Sequence, residues 1–184
     1  MYRMYEDLKK ILISETEINQ RVVELAGLLD EEYKDKNPLM VCVLKGSVIF
    51  FSDLLRAMSI PLELDFMAVS SYGFLTVSSG KINVMKDLSV NIEGRHVVLV
   101  EDIVDTGHTL KHLKRMLNTR NPKSVKICAL LNKFQRREVD LEPDYKGFDI
   151  GNDFVVGYGL DYAERYRNLP VIGILKEDVY KKLL

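Results

Sequence analysis

Residues 97–110, VVLVEDIVDTGHTL, open as an apolar run and end in three carboxylates, a glycine and two threonines. A hydrophobic core has no use for Glu101, Asp102 and Asp105 so close together, because buried charge is strongly unfavourable without partners. The turn that follows, Asp105, Thr106, Gly107, His108 and Thr109, leads into a helical pattern. Gly107 permits close backbone approach, and the first N–H groups of a helix are unsatisfied donors backed by its dipole. Such a turn can cradle a phosphate, although for D-T-G alone a plain helix cap by Asp105 or Thr106 is the simpler alternative. The phosphate loop of kinases and ATPases, G-x-x-x-x-G-K-[ST], is absent. Carboxylates beside a phosphate repel it unless a cation intervenes or they face sugar hydroxyls. A sugar phosphate with Mg²⁺ meets both conditions: its hydroxyls donate to the acids, while Mg²⁺ takes carboxylate, water and substrate oxygens.

The elements that must position this cluster alternate along the chain. Ile18, Val22, Leu25, Leu29 and Tyr33 form a stripe that predicts an amphipathic helix over residues 15–34, with Ser14 or Thr16 placed to cap it. LMVCVL at 39–44 is a short apolar run suited to a strand covered on both faces. FFSDLLRAM returns to helical spacing and Pro61 stops it; LELDFMAV at 62–69 then alternates as a strand. SYGFLTVSSGK looks like a mobile connection or hairpin, with INVMKDL as its return strand. Arg95 to Val100 predicts the next strand, ending before the carboxylates, and Leu110, Leu113 and Leu117 mark a helix that ends by Pro122. SVKICALLNK at 124–133 is another strand, the stretch from Phe134 to Asp153 is polar, and VIGILK precedes a short terminal helix.

Apolar runs alternating with helices imply an α/β fold, a doubly wound, mostly parallel sheet flanked by helices. Such sheets bind ligands beyond the carboxyl ends of their strands, where strand order reverses. The cluster at 101–109 sits at one such end.

Composition narrows the classes. The chain has 184 residues, 47% hydrophobic and 29% charged, which suggests one domain of ordinary globular balance. A formal net charge of -1 gives no support for nucleic-acid binding, and no apolar run approaches the roughly 20 residues that span a bilayer. The N-terminal MYRMYEDLKKILISETE meets acidic residues too early for a secretory signal. Cys42 and Cys128 sit in apolar runs and read as reduced core residues. A cytoplasmic location is expected.

VVLVEDIVDTGHTL closely resembles the phosphoribosyl-diphosphate signature of the type I phosphoribosyltransferases: hydrophobic residues, two adjacent acids, then D-T-G-x-T. LKGSVIFFSDLL (44–55), LLNKF (130–134) and DFVVGYGLDYAERYRNLP (153–170) resemble the 6-oxopurine branch of that family, in the expected order. The resemblance implies one domain over residues 1–184, with a small hood built from N-terminal and C-terminal segments. It implies Mg²⁺-dependent transfer of a phosphoribosyl group from phosphoribosyl diphosphate to hypoxanthine, and to guanine as well. Partners would be those two substrates, with no nucleic acid or membrane, in a homo-oligomer that is a dimer or tetramer.

The same resemblance distributes roles. Glu101 and Asp102 would hold the ribose hydroxyls, directly or through a Mg²⁺ water. Asp105, Thr106, Gly107, His108 and Thr109 would hold the 5-phosphate, and Asp105 would also act as general base near the purine N7. Lys45 and Gly46, in a loop that carries a non-proline cis peptide in the family, would bind diphosphate together with Arg167. Lys133 would donate to the purine O6, Phe154 would stack on the ring, and the backbone of Val155 would pair with its edge. Asp161 would ligate a second Mg²⁺, and Ser71 and Tyr72 would belong to a loop closing over the site. Taken one by one, several are unremarkable: LKGS is an ordinary strand-to-helix turn, Arg167 a surface arginine, and Phe154-Val155-Val156 a core strand.

His108 departs from many relatives at the variable position of the signature. An imidazolium there opposes the helix dipole but favours a bound phosphate, so substrate affinity is expected to vary mildly with pH. A xanthine-preferring transferase and a regulator that senses phosphoribosyl diphosphate remain alternatives. An intact Asp105 speaks against the regulator, which has no need of a general base.

Overall fold

The computed structural model describes residues 2–71 and 82–180. In chain order the elements are α1 (Tyr2–Glu6), β1 (Leu8–Ile13), α2 (Glu15–Tyr33), β2 (Leu39–Leu44), α3 (Val48–Ala57), β3 (Glu63–Ser71) and β4 (Ile82–Lys86). Then follow β5 (His96–Val104), α4 (His108–Asn118), β6 (Ser124–Asn132), β7 (Tyr145–Asp149), β8 (Val155–Val156), β9 (Ile172–Leu175) and α5 (Glu177–Tyr180). The large sheet has the order β4-β3-β2-β5-β6-β7, parallel except for β4, and a smaller antiparallel sheet has the order β1-β9-β8.

Helix α2 begins where its sequence supplies a reciprocal cap. Ser14 Oγ accepts from the Glu17 N–H at 3.3 Å, while the Ser14 N–H donates to Glu17 Oε2 at 2.8 Å. Ser14 rather than Thr16 is therefore the cap. The α2 stripe Ile18, Val22, Leu25, Leu29 and Tyr33 is buried with Phe50 and Leu54 of α3 against Met40, Val98 and Cys128 of the sheet. On the opposite face Leu110, Leu113 and Leu117 of α4 pack on Val41, Leu99 and Ile127. Each such buried leucine contributes about 1.5–3 kcal/mol. Cys42 and Cys128 are free and buried among these residues.

Strand β5 departs from the sequence expectation. It continues four residues past Val100, so Glu101 and Asp102 lie within the strand. Its ladder to β2 ends at Cys42↔Val100, whereas its ladder to β6 runs on to Val104↔Asn132. Pairing with β6 keeps the backbone extended after β2 has turned away. The gap between β2 and β5 is also where strand order reverses: β3 and β4 lie on one side, β6 and β7 on the other.

Two strands were illegible in the sequence. Strand β7 lies in the polar stretch after Phe134, an edge strand whose Gly147 passes so close to Leu130 that a Cβ there would fall 2.3 Å from its carbonyl oxygen. Strand β1 carries two lysines in six residues and pairs only with β9. Neither shows the apolar run or clean alternation that marks a strand in isolation. Among the described residues, no helix is long and apolar enough to cross a membrane.

Candidate active site

Three loops meet at the crevice between β2 and β5. Residues 44–47 leave β2, and the Leu44–Lys45 peptide is cis. A Cβ on Gly46 would lie 1.7 Å from Asp102 Oδ2, so the loop packs directly on that carboxylate. Gly159, at φ +102°, comes so close from the third loop that a Cβ there would fall 1.9 Å from the Gly46 carbonyl oxygen. Two glycines at one contact let three backbones converge on a carboxylate, which no larger side chain permits.

Glu101 and Asp102 lie in the ladder to β6, which keeps one register from Glu101↔Ala129 to Ile103↔Leu131, and residues 101–103 are all half-buried. Burial, and then the charge of Asp102, pushes the Glu101 carboxyl well above the usual range. Asp102 is pushed up to about 6, chiefly by burial, while the Ile103 N–H donor at 2.7 Å and the Arg167 charge pull the other way. Two adjacent acids with too little countercharge define a place for a cation or for hydroxyl donors. Among the described residues, no three acids, histidines or cysteines are grouped so as to hold a metal ion by themselves. The donor chemistry of an acidic pair suits Mg²⁺, which a protein commonly holds through one or two carboxylates while substrate oxygens and waters complete the shell.

Below the acids, Asp105 to Thr109 form the turn into α4. Gly107 adopts φ +88°, with the Arg137 side chain so close that a Cβ on the glycine would sit 3.0 Å from Cδ. The first helix-closing bond is Lys111 N–H to the Gly107 carbonyl at 3.0 Å, so the earlier N–H groups have no partner within the helix, and a cavity of about 100 Å³ lies beside this turn. Glu101, Asp105, Thr106, Gly107 and Thr109 line it. His108 is exposed, its Nε2 2.9 Å from Glu138 Oε2.

The segment after β6 is stitched over this turn. Lys133 N–H donates to the Val104 carbonyl at 2.9 Å and Glu138 N–H to the Thr106 carbonyl at 3.0 Å. Arg136 Nε lies 3.0 Å from Asp105 Oδ1, and the Arg137 guanidinium donates to the Asp105 carbonyl and to Asn132 Oδ1. Lys133 is buried; its ammonium donates to the Asp153 carbonyl at 2.9 Å. Desolvation lowers its pKa, with the Asp105 charge opposing. Phe154, adjacent to that carbonyl, is 40% exposed. Its ring stacks on Tyr180 at 5.3 Å and meets Tyr162 edge-on. Val155, in β8, is buried.

Arg167 completes the crevice opposite Lys45. Its guanidinium lies 2.8 Å from Asp161 Oδ1 and donates to the Gly159 carbonyl at 2.8 Å. The structure thus brings Lys45, Gly46, Asp102, Asp161 and Arg167 together on one side, and Asp105 with Lys133 on the other. Ser71 is the last residue of β3, and Tyr72 lies outside the described residues, as does the rest of 72–81. Sequence reasoning missed Arg136, Arg137, Asp153 and Glu164. The adjacent pair Arg136-Arg137, close behind Lys133, was the available signal, but charged pairs in polar loops are common.

These features define an α/β protein whose anion-directed loops flank a topological switch point, and the phosphoribosyl transferase domain family matches residues 12–163. The hypoxanthine-guanine phosphoribosyltransferase of Bacillus subtilis is 51% identical, over 97% of this chain and 99% of that protein. The bifunctional protein TilS/HprT of Listeria monocytogenes is 52% identical over 97% of this chain, which spans only 28% of its length. A crystal structure of a hypoxanthine phosphoribosyltransferase from Staphylococcus aureus superposes with a TM-score of 0.93 at 46% identity, covering 96% of each chain. The chain belongs to the hypoxanthine-guanine phosphoribosyltransferases of the type I phosphoribosyltransferase family.

Proposed function

We propose that this chain transfers the 5-phosphoribosyl group of phosphoribosyl diphosphate to N9 of hypoxanthine, and of guanine, releasing diphosphate in cytoplasmic purine salvage. The observation that carries this reading is one crevice with an acidic pair, a helix-start anion cradle and two cations from separate loops. The buried Lys133 stands beside it.

Glu101 and Asp102 hold the ribose hydroxyls, and the N–H groups of residues 106–109 hold the 5-phosphate. Lys45, Gly46 and Arg167 hold the diphosphate. In the reaction the anomeric carbon–oxygen bond to diphosphate breaks as the bond to N9 forms on the opposite face. Asp105 takes the proton that the purine loses, and its charge favours the cationic character of the base during transfer. The nearby carboxylates also stabilise positive charge on the ribosyl carbon. Mg²⁺ would be held by Glu101, Asp102 and Asp161 together with substrate oxygens, and would offset the leaving diphosphate's charge.

Lys133 donates to a 6-oxo group and would oppose the amino group of adenine. Phe154 offers one ring face to the purine while Tyr180 covers the other, and the Val155 backbone meets the base edge. The small sheet acts as the hood of one domain, Ser71 and Tyr72 serve the closing loop, and the protein assembles as a dimer or tetramer. These last assignments rest on the family.

Nucleotide formation from phosphoribosyl diphosphate and Mg²⁺, with hypoxanthine, guanine, xanthine and adenine offered separately, tests the reading. Hypoxanthine and guanine should turn over well. Preference for adenine would overturn the role of Lys133, and failure with all four bases would overturn the activity.

A further inference from the structure

Lys45 and Arg167 reach the crevice from different loops, yet a single carboxylate touches both. Glu164 Oε1 lies 3.2 Å from Lys45 Nζ, and Oε2 lies 3.2 Å from Arg167 Nη2 and 3.4 Å from its Nε. One oxygen meets each cation, as two oxygens of a bound diphosphate would.

The backbone holds Glu164 there. Its φ is +60°, with Ala163 at +51° and Tyr166 at +75°, a left-handed region that few non-glycine residues adopt. Its N–H donates to Asp161 Oδ2 at 2.9 Å, and paired bonds between Tyr162 and Arg165 close the turn around it. Packing does not require the carboxylate: Arg167 is already fixed by Asp161 and the Gly159 carbonyl. The Lys45 and Glu164 side chains are 71% and 65% exposed, and ion pairs so open to water are weak enough to yield to a ligand.

We propose that Glu164 is a resident counter-anion of the diphosphate-binding cations, displaced when diphosphate enters and returning as it leaves. This rests on reading Lys45 and Arg167 as diphosphate ligands. The side chain competes with diphosphate for both cations and weakens its hold on the product. It thereby sets the balance between capture of phosphoribosyl diphosphate and release of diphosphate.

Calorimetric titration of the full chain with diphosphate and Mg²⁺ tests this, alongside product inhibition by diphosphate. Glu164→Gln, and Glu164→Asn, whose side chain suits a left-handed φ, should each bind diphosphate about three- to ten-fold more tightly. That is the scale of one unit charge removed from a polyanion site in a water-like dielectric. KM for phosphoribosyl diphosphate should fall in parallel while KM for the purine stays constant. Unchanged or weaker diphosphate binding in both variants, with Lys45→Ala weakening it, would overturn the counter-anion and leave the diphosphate site standing. If Lys45→Ala and Arg167→Gln also bind diphosphate normally, the diphosphate site itself is wrong and the counter-anion falls with it.

Discussion

Gly46 abuts Asp102: a Cβ built on the glycine would lie 1.7 Å from the carboxylate's Oδ2, well inside any tolerable contact. Gly46→Ala must therefore move the 44–47 loop or rotate Asp102, and both groups serve the proposed substrate site. Turnover should fall by about 10²-fold, since misplacement by an ångström or so costs that much. KM for phosphoribosyl diphosphate should rise while the thermal midpoint changes by only a few degrees. Wild-type kinetics in this variant would show that the loop and carboxylate are not held to catalytic geometry.

Asp105 is the proposed base, with Arg136 3.0 Å from its carboxylate and Arg137 fixing its carbonyl. Asp105→Asn keeps the turn's shape and removes the basic oxygen. Turnover should drop by about 10²–10⁴ with little loss of phosphoribosyl diphosphate binding. Steady-state rates with a parallel binding titration separate the two effects, and undiminished turnover would remove Asp105 from proton transfer.

Glu101 illustrates a conflict between stability and function. Burial and the adjacent Asp102 hold its carboxyl far above the usual range, so its charge is unfavourable in the folded protein. Glu101→Gln should raise the thermal midpoint by a few degrees near neutral pH without added divalent cation or substrate, a gain of about 1–2 kcal/mol. Nucleotide synthesis should fall at the same time. A lower midpoint in calorimetry would mean that the negative charge is compensated within the fold.

Asp65 of β3 bears on stability. Burial alone would raise its pKa, but the Ser89 and Phe66 N–H donors at 2.6 and 2.7 Å, with Lys86 at 3.1 Å, outweigh it, so the net shift is downward. Such a group stabilises the fold above the ordinary aspartate value of 3.8, and the contribution is lost as pH falls through the lowered value. Asp65→Asn should cost about 2–3 kcal/mol at pH 7, and the difference should narrow below about pH 4. Urea melts at the two pH values measure this, and a gap that persists in acid would assign the loss to packing instead.

Much of the architecture was legible because hydrophobic periodicity reports which face of an element is covered. The stripe from Ile18 to Tyr33 and the run LMVCVL each needed only local spacing to be placed. The signature at 97–110 exposed the acids and the phosphate turn in the same way, since charge at the end of an apolar strand has few structural uses. Strands β1 and β7 left no comparable mark: both lie at sheet edges, each pairs with one neighbour, and polar residues interrupt the apolar pattern in both.

The sequence by itself determined α2, α3, α4 and the central strands, the acidic pair and the turn at Asp105, because those depend on residues near one another in the chain. Only the tertiary structure decided that Gly46 packs on Asp102, that Glu164 bridges Lys45 and Arg167, and that Arg136 faces Asp105. All three contacts join segments at least 31 residues apart in sequence, and all depend on where the loops turn back. β2 parts from β5 after Val100 while β6 keeps β5 extended. Backbone pairing between distant strands opens that crevice, and no local pattern of side chains encodes it.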